Sequence, residues 1–182
     1  MRLLTIVSAV WVASELLVAL LRHSKSGEKR GDRGSFLLLW LVIGGGIYAA
    51  SVLRPIARMP HPRVALDIGI ALILAGVVVR AIAIATLWRY FSVDVTIRSE
   101  QQIVQHGIYS RLRHPAYTGS LLAFIGLGVA FGSWLSLAII ALLAGAGLSY
   151  RIAVEERALV EHFGDAYRAY ASRTKRLLPG IY

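Results

Sequence analysis

The sequence predicts an all-α integral membrane bundle of about five transmembrane helices, a C-terminal helical hairpin and an amphipathic cytoplasmic helix. Three observations carry that prediction. Of 182 residues, 57% are hydrophobic and only 16% are charged, whereas soluble domains carry roughly 25% charged residues. The mean hydropathy is +0.63. The apolar residues also gather into runs close to the roughly 20 residues that a helix needs to cross a bilayer.

The first run, Leu3 to Leu21, holds Glu15 and has little basic character before it beyond Arg2. It lacks a small-residue cleavage site and reads as a retained helix rather than a signal peptide. A glycine-rich, mostly basic stretch follows, over residues 22–35. The second run, Phe36 to Leu53, has Gly44, Gly45 and Gly46 at its centre. Small residues there predict close approach of a neighbouring helix. Pro55 and Pro62 mark a short connector, because proline cannot continue a helix. The third run spans Val64 to about Trp88 and contains Asp67 and Arg80. Asp67 suits a helix entry, and Arg80 is expected to snorkel toward the interface. Trp88, Arg89, Tyr90 and Phe91 read as an interfacial belt.

Two more runs, Ala116 to Phe131 and Trp134 to Leu148, are separated only by Gly132-Ser133. So short a joint requires an antiparallel hairpin. Beyond Tyr150 the helix is expected to continue as a charged segment, with Ile152, Leu159, Phe163, Tyr167 and Tyr170 as a broken apolar stripe. The organisation expected is therefore three spans over 1–87 and a polar, chemistry-bearing region over 88–182, within one compact bundle.

The absence of cysteine excludes disulfides, thiolate catalysis and cysteine-type zinc sites. No metal is expected. The net charge of +10 does not point to nucleic acid, because the basic residues lie beside apolar spans, where membrane lipid headgroups and topology explain them. Residues 22–35, 89–115 and 151–182 together hold fifteen Lys and Arg, against four in 54–63 and at Arg2. With five spans, the richer segments share one face. That face is expected to be cytoplasmic, with the N-terminus outside, the C-terminus inside, and the cell's inner membrane as the site.

Residues able to do chemistry cluster after Gly107. Tyr109, Arg111, Arg113, His114 and Tyr117 lie within nine positions, and polar groups at a membrane are costly enough to be functional by default. Pro115 suits the first turn of a helix. Taken singly, His114 could cap that helix, meet headgroups or hold a ligand, and Tyr109 and Tyr117 could be belt aromatics. Arg151 and Glu155 stand four apart, on one helical face. They could be a simple ion pair, or a guanidinium and a carboxylate ready for a zwitterion. The hairpin's two arms have similar lengths, so 114–117 and 151–156 must be neighbours.

The pattern Gly107-x-Tyr109-x-x-x-Arg113-His114-Pro115-x-Tyr117-x-Gly119, then Glu155-Glu156, Phe163-Gly164-x-x-Tyr167-x-x-Tyr170 and Arg176-x-x-Pro179, resembles the isoprenylcysteine carboxyl methyltransferase family. The resemblance covers about residues 88–180. It implies a membrane methyltransferase that uses S-adenosyl-L-methionine, with a lipid-linked or prenylated acceptor. Gln101, Gln102, Ile103, Val104, Tyr109, His114, Pro115, Ala116, Tyr117 and Glu155 are the implied cofactor contacts. Arg151 falls on the family's substrate-contacting arginine. Asp94 and Thr174 depart from the family, which has glutamine and valine there.

A carboxylate acceptor is already ionised at neutral pH and needs a cation to orient it, a part suited to Arg151. An amine acceptor, as in phospholipid N-methylation, would need proton removal by His114 or Glu156. Arg151 and Glu156 are thus the candidate catalytic residues. A reductase using NADPH, which shares the Arg-His-Pro-x-Tyr element, and a non-enzymatic membrane scaffold are the competing classes.

Overall fold

The structure, a computed structural model, describes residues 2–22, 33–91 and 102–178. Among the described residues six α-helices follow in chain order: α1 (Arg2–Arg22), α2 (Arg33–Val52), α3 (Pro62–Leu87), α4 (Pro115–Ala130), α5 (Trp134–Phe163) and α6 (Asp165–Arg173). A 3-10 turn occupies Gly107–Ser110. There is no β-sheet among the described residues, which show only isolated bridges at Arg58–Ser133 and Leu112–Lys175.

Arg2–Leu20, Pro62–Leu87 and Trp134–Phe163 are long and apolar enough to cross a bilayer. Their outward faces are oily: Leu20 is 78% exposed, Leu142 71% and Val10 64%. Water would not tolerate so much contiguous apolar surface, whereas lipid is a matching solvent for it. The chain is an integral membrane helical bundle. At about 1.5 Å per residue, the 30 residues of α5 extend roughly 45 Å. Its charged second half, from Arg151 onward, therefore projects past a hydrocarbon core of about 30 Å.

α4 is the central helix. It is apolar all round, as a helix with neighbours on every side should be, and ten of its 16 residues are buried. It meets α3 through four glycines. A Cβ built on Gly76 would lie 2.5 Å from the Gly119 oxygen, and one on Gly69 would lie 2.5 Å from the Gly126 oxygen. The two backbones thus touch with no side chain between them. Gly69 and Gly76, like Gly119 and Gly126, are seven residues apart, so each pair keeps to one helix face. Trp11 of α1 meets Phe124 edge to face at 4.9 Å. The core extends through Leu4, Ile43, Ala50, Ile73, Leu127, Ile140 and Leu148.

In the Gly44-Gly45-Gly46 run, only Gly46 is packed: a Cβ there would strike Leu143 Cδ1 of α5 at 2.5 Å, while nothing lies within 4 Å of the other two. The helix contact expected of all three belongs to one.

The Gly132-Ser133 hairpin joint is as tight as the sequence required. Gly132 takes φ +67, a conformation glycine adopts without steric cost. Ser133 caps α5 by accepting from the Ser136 amide at 3.2 Å, and its own hydroxyl donates to the Ile56 carbonyl at 2.7 Å. The Met59 amide donates to the Gly132 carbonyl and the Trp134 amide to the Ala57 carbonyl, both at 2.9 Å. These bonds lock the joint to the connector between α2 and α3 at one end of the bundle. The other end carries the polar cluster.

The helix after Tyr150 does not run unbroken through Tyr170. Gly164, at φ +55, ends α5 and starts α6, turning the tail back over the polar end.

Candidate active site

The polar end is built by three chain segments. Pro115 starts α4, so the turn from His114 to Tyr117 stands at the helix entrance. α5 returns beside it and presents Arg151, Glu155 and Glu156. The tail after α6 then pairs with residues 111–114. The Arg113 amide donates to the Lys175 carbonyl at 2.7 Å, the His114 amide to the Arg176 carbonyl at 3.1 Å, and the Lys175 amide to the Arg111 carbonyl at 3.0 Å.

Tyr117 joins the two arms of the hairpin. Its hydroxyl donates to Glu155 Oε2 at 2.9 Å and accepts from Arg151 Nε at 2.9 Å. The sequence allowed a simple Arg151–Glu155 ion pair; the structure inserts a tyrosine hydroxyl in the link. Arg151 is buried, at 3% exposure, while the Glu155 side chain keeps 32%. The result is a buried cation that holds, through a phenol, a carboxylate open to an incoming ligand.

His114 is buried and stacks beside Tyr117, with ring centroids 5.7 Å apart. It does not cap α4 with its side chain. Its Nε2 approaches Glu156 Oε1 at 3.3 Å, and its Nδ1 lies 3.9 Å from Glu155 Oε2.

Glu156 is the hub of a second cluster. Its Oε1 accepts from Arg113 Nε at 2.8 Å and its Oε2 from Arg176 Nε at 2.9 Å. Arg113 also donates through Nη1 to the carbonyls of Ala171 and Thr174. One carboxylate thus ties α5 to the turn before α4 and to the folded-back tail. With both oxygens held by guanidinium groups, it is poorly suited to the proton-accepting part considered from the sequence.

Tyr109 is buried with Ala116 and Ala83, and Val104 packs against them. The Tyr109 carbonyl accepts from the Tyr170 hydroxyl at 2.8 Å. Thr174 donates its hydroxyl to the Tyr170 carbonyl at 2.8 Å. Pro115 is fully buried. Gln102 is exposed and Ile103 half-buried, on the approach to the 3-10 turn. Gln101 and Asp94 lie outside the described residues.

Burial pushes Tyr170 up to about 12. Burial, reinforced by the nearby Glu155 charge, pushes Tyr109 above its ordinary value. Both phenols are neutral at physiological pH. Among the described residues no group of His, Asp and Glu is arranged to hold a metal ion.

Sequence reasoning did not find the ion pair of Arg80 with Glu15. Arg80 does not snorkel out of the bundle. Its Nε lies 2.6 Å from Glu15 Oε1, Nη2 donates to Glu15 Oε2 at 2.7 Å, and Nη1 donates to the Ala116 carbonyl at 3.2 Å. The signal was present, since Glu15 stood within the first apolar run and Arg80 deep within the third. Arg113 and Arg176 were likewise not recognised as the partners of Glu156, because only the folded-back tail brings them there.

The fold defines an all-α integral membrane protein with a polar cluster of Arg151, Tyr117 and Glu155 at one end. The profile of the phospholipid methyltransferase family matches residues 64–166, more than half of the chain, and the chain belongs to that family.

Several curated relatives share one name. The probable protein-S-isoprenylcysteine O-methyltransferase of Oryza sativa subsp. indica is 34% identical over 116 residues, covering 63% of this chain and 61% of that protein. Protein-S-isoprenylcysteine O-methyltransferase B of Arabidopsis thaliana is 32% identical over 117 residues, covering 63% and 59%. The Saccharomyces cerevisiae protein-S-isoprenylcysteine O-methyltransferase is 34% identical over 116 residues, covering 63% and 48%. The matched region thus spans 61% of the rice relative's length and less of the other two. The solved structure of the eukaryotic intramembrane Ras methyltransferase, isoprenylcysteine carboxyl methyltransferase, superposes with a TM-score of 0.61 at 26% identity. That alignment covers 81% of this chain and 51% of that one.

Proposed function

We propose that this chain is a membrane methyltransferase dependent on S-adenosyl-L-methionine, acting on the carboxylate of a lipid-linked, isoprenylcysteine-like acceptor. The observation that carries the reading is the Tyr117 hydroxyl held between buried Arg151 and half-exposed Glu155. The names of the relatives agree with it.

The donor set fits the cofactor. S-adenosyl-L-methionine is a zwitterion that also bears a cationic sulfur, and it supplies, when bound, an activated methyl group. Glu155 offers an accessible carboxylate to the positive part of such a ligand. Tyr109, Ala116 and Val104 offer an apolar wall. Gln102 to Val104, Tyr109, His114 to Tyr117 and Glu155 would hold it, and we keep Gln101 among the candidates.

Arg151 has the fork geometry to orient an acceptor carboxylate. A carboxylate needs no general base, which agrees with a Glu156 fully committed to Arg113 and Arg176. Glu156 then serves as a positioning residue that holds the turn before α4 against α5. Arg151 is buried, and in a medium of low dielectric the attraction between ligand charges and this guanidinium is stronger than in water. Positioning supplies most of the rate in such a displacement.

In this reading the polar end faces the cytoplasm, the N-terminus lies outside, and α2 and α4 complete a five-span bundle in the inner membrane. Residues 1–87 form the membrane frame and 88–182 the catalytic region. The acceptor enters sideways from the lipid.

The test is calorimetry with S-adenosylhomocysteine on detergent-purified protein, followed by methyl transfer to a prenylated cysteine. Expected are binding by the wild type, weakened binding in Glu155→Ala, and reduced turnover with near-native binding in Arg151→Ala. Tight NADPH binding without S-adenosylhomocysteine binding would overturn the proposal. Methylation of phosphatidylethanolamine in place of the carboxylate would overturn the acceptor assignment.

A further inference from the structure

Glu15 and Arg80 are charged residues inside apolar helices α1 and α3, and their side chains are only 10% and 15% exposed. A carboxylate and a guanidinium are costly to hold there unless they are paired. They pair through Nη2, which donates to Glu15 Oε2 at 2.7 Å, while Nε lies 2.6 Å from Oε1 without a hydrogen bond. The remaining nitrogen, Nη1, donates to the carbonyl of Ala116 at 3.2 Å.

Ala116 lies inside the His114–Tyr117 turn, so Arg80 grips the one stretch of α4 that carries the candidate chemistry. The grip acts at the point of closest helix approach, where a Cβ on Gly119 would lie 2.7 Å from the Arg80 nitrogen and 2.8 Å from its Cβ. Rotation or sliding of the first turn of α4 would therefore be felt at Arg80. Trp11, one turn before Glu15 on α1, meets Phe124 further along α4. α1 thus meets α3 through Glu15 and α4 through Trp11, while much of its remaining surface faces lipid: Leu16 is 59% exposed and Leu17 56%.

We propose that Arg80 is a positioning residue for the site: anchored by Glu15, it holds the Ala116 carbonyl and so keeps Tyr117 in register with Arg151 and Glu155. The proposal rests on the reading of that turn as a wall of the methyl-donor site. Glu15 acts through Arg80, by fixing the guanidinium plane.

A mere clip between α1 and α3 would need only opposite charges, whereas positioning needs a donor at residue 80 aimed at Ala116. The reversed pair Glu15→Arg with Arg80→Glu separates the two, because it restores the ion pair but leaves a carboxylate that cannot donate to a carbonyl. Arg80→Lys is the second variant; it keeps the charge opposite Glu15 but loses the fork that serves both partners.

Three quantities are read on detergent-purified full-length protein: the melting temperature, hydrogen exchange of the backbone amides in the first turns of α4, and methyl transfer with S-adenosylhomocysteine affinity. In the reversed pair, a near-native melting temperature is expected together with faster exchange in α4. Turnover should drop on the order of a hundredfold, as a misplacement of about 1 Å at reacting groups would cause. Arg80→Lys should show the same faster exchange and lower turnover.

Recovery of native exchange and turnover by the reversed pair would overturn the proposal. If that variant fails to fold, native exchange in α4 of Arg80→Lys overturns it alone. Failure of the wild type to bind S-adenosylhomocysteine would instead sink the donor-site reading, while the exchange data still decide whether Arg80 holds the turn.

Discussion

At the scale of single residues, the site divides between groups that are committed and one that is available. Arg113 and Arg176 occupy both oxygens of Glu156, whereas Glu155 is met at Oε2 by Tyr117 and His114 and keeps part of its surface open. Tyr117→Phe removes a hydroxyl that bonds two charged groups, so it should weaken S-adenosylhomocysteine binding by about 1.5–3 kcal/mol, tenfold or more, as calorimetry would measure. Glu156→Gln leaves two guanidinium groups facing a neutral amide. It should cost about 2–3 kcal/mol of stability, in line with breaking other partly buried ion pairs, seen as a lower melting temperature before any effect on ligand affinity. The pairing of His114 to Tyr117 with Arg151 to Glu156 was legible in the sequence, because a two-residue joint between apolar arms of similar length returns their ends to one level. The split between the two glutamates was not. Their spacing is identical to within one residue, and only the folded tail, which delivers Arg176, tells them apart.

At the scale of elements, α3 and α4 are joined by backbone contact rather than by interlocking side chains. Gly76→Ala places a methyl group 2.5 Å from the Gly119 carbonyl oxygen and 2.7 Å from the Ala123 nitrogen. Both are main-chain atoms that cannot swing aside, so the helices must separate. A loss of about 1–3 kcal/mol is expected, as for other overpacked interiors, and should be read as a fall in melting temperature. Gly45→Ala, which meets nothing within 4 Å, is the control and should leave stability near native. The first five helices were readable from apolar run length, from the prolines that open α3 and α4, and from Gly132-Ser133. Which glycines pack was harder to read. The triple-glycine run drew attention through density, while the heptad pairs Gly69/Gly76 and Gly119/Gly126 carried the contact through spacing. The break at Gly164 was hidden because the Tyr167 and Tyr170 stripe continues in register across it.

At the scale of the whole molecule, lipid solvates the sides of the bundle and the polar end stores its ionisable groups. Two tyrosines there, Tyr109 and Tyr170, are held neutral by burial, Tyr170 up to about 12. An unfolded chain ionises tyrosine near 10, so its proton is lost first from the unfolded state. These two residues should leave stability level below about pH 10 and lower it above that value; thermal unfolding in detergent between pH 8 and 11.5 checks the sign. The membrane class was legible from composition, because no soluble core could absorb so many apolar residues in so short a chain. The ion pair of Glu15 with Arg80 was not, since linear order says nothing of which face of α1 meets α3. The central claim is that the hairpin brings two distant stretches of sequence into one donor-binding wall. Its most direct test is a double-mutant cycle on S-adenosylhomocysteine affinity, using Tyr117→Phe, Glu155→Gln and the pair. The structure predicts strong non-additivity, with the double variant binding little worse than the weaker single one. Losses that simply add would mean that the two residues do not share a wall, and would contradict the account.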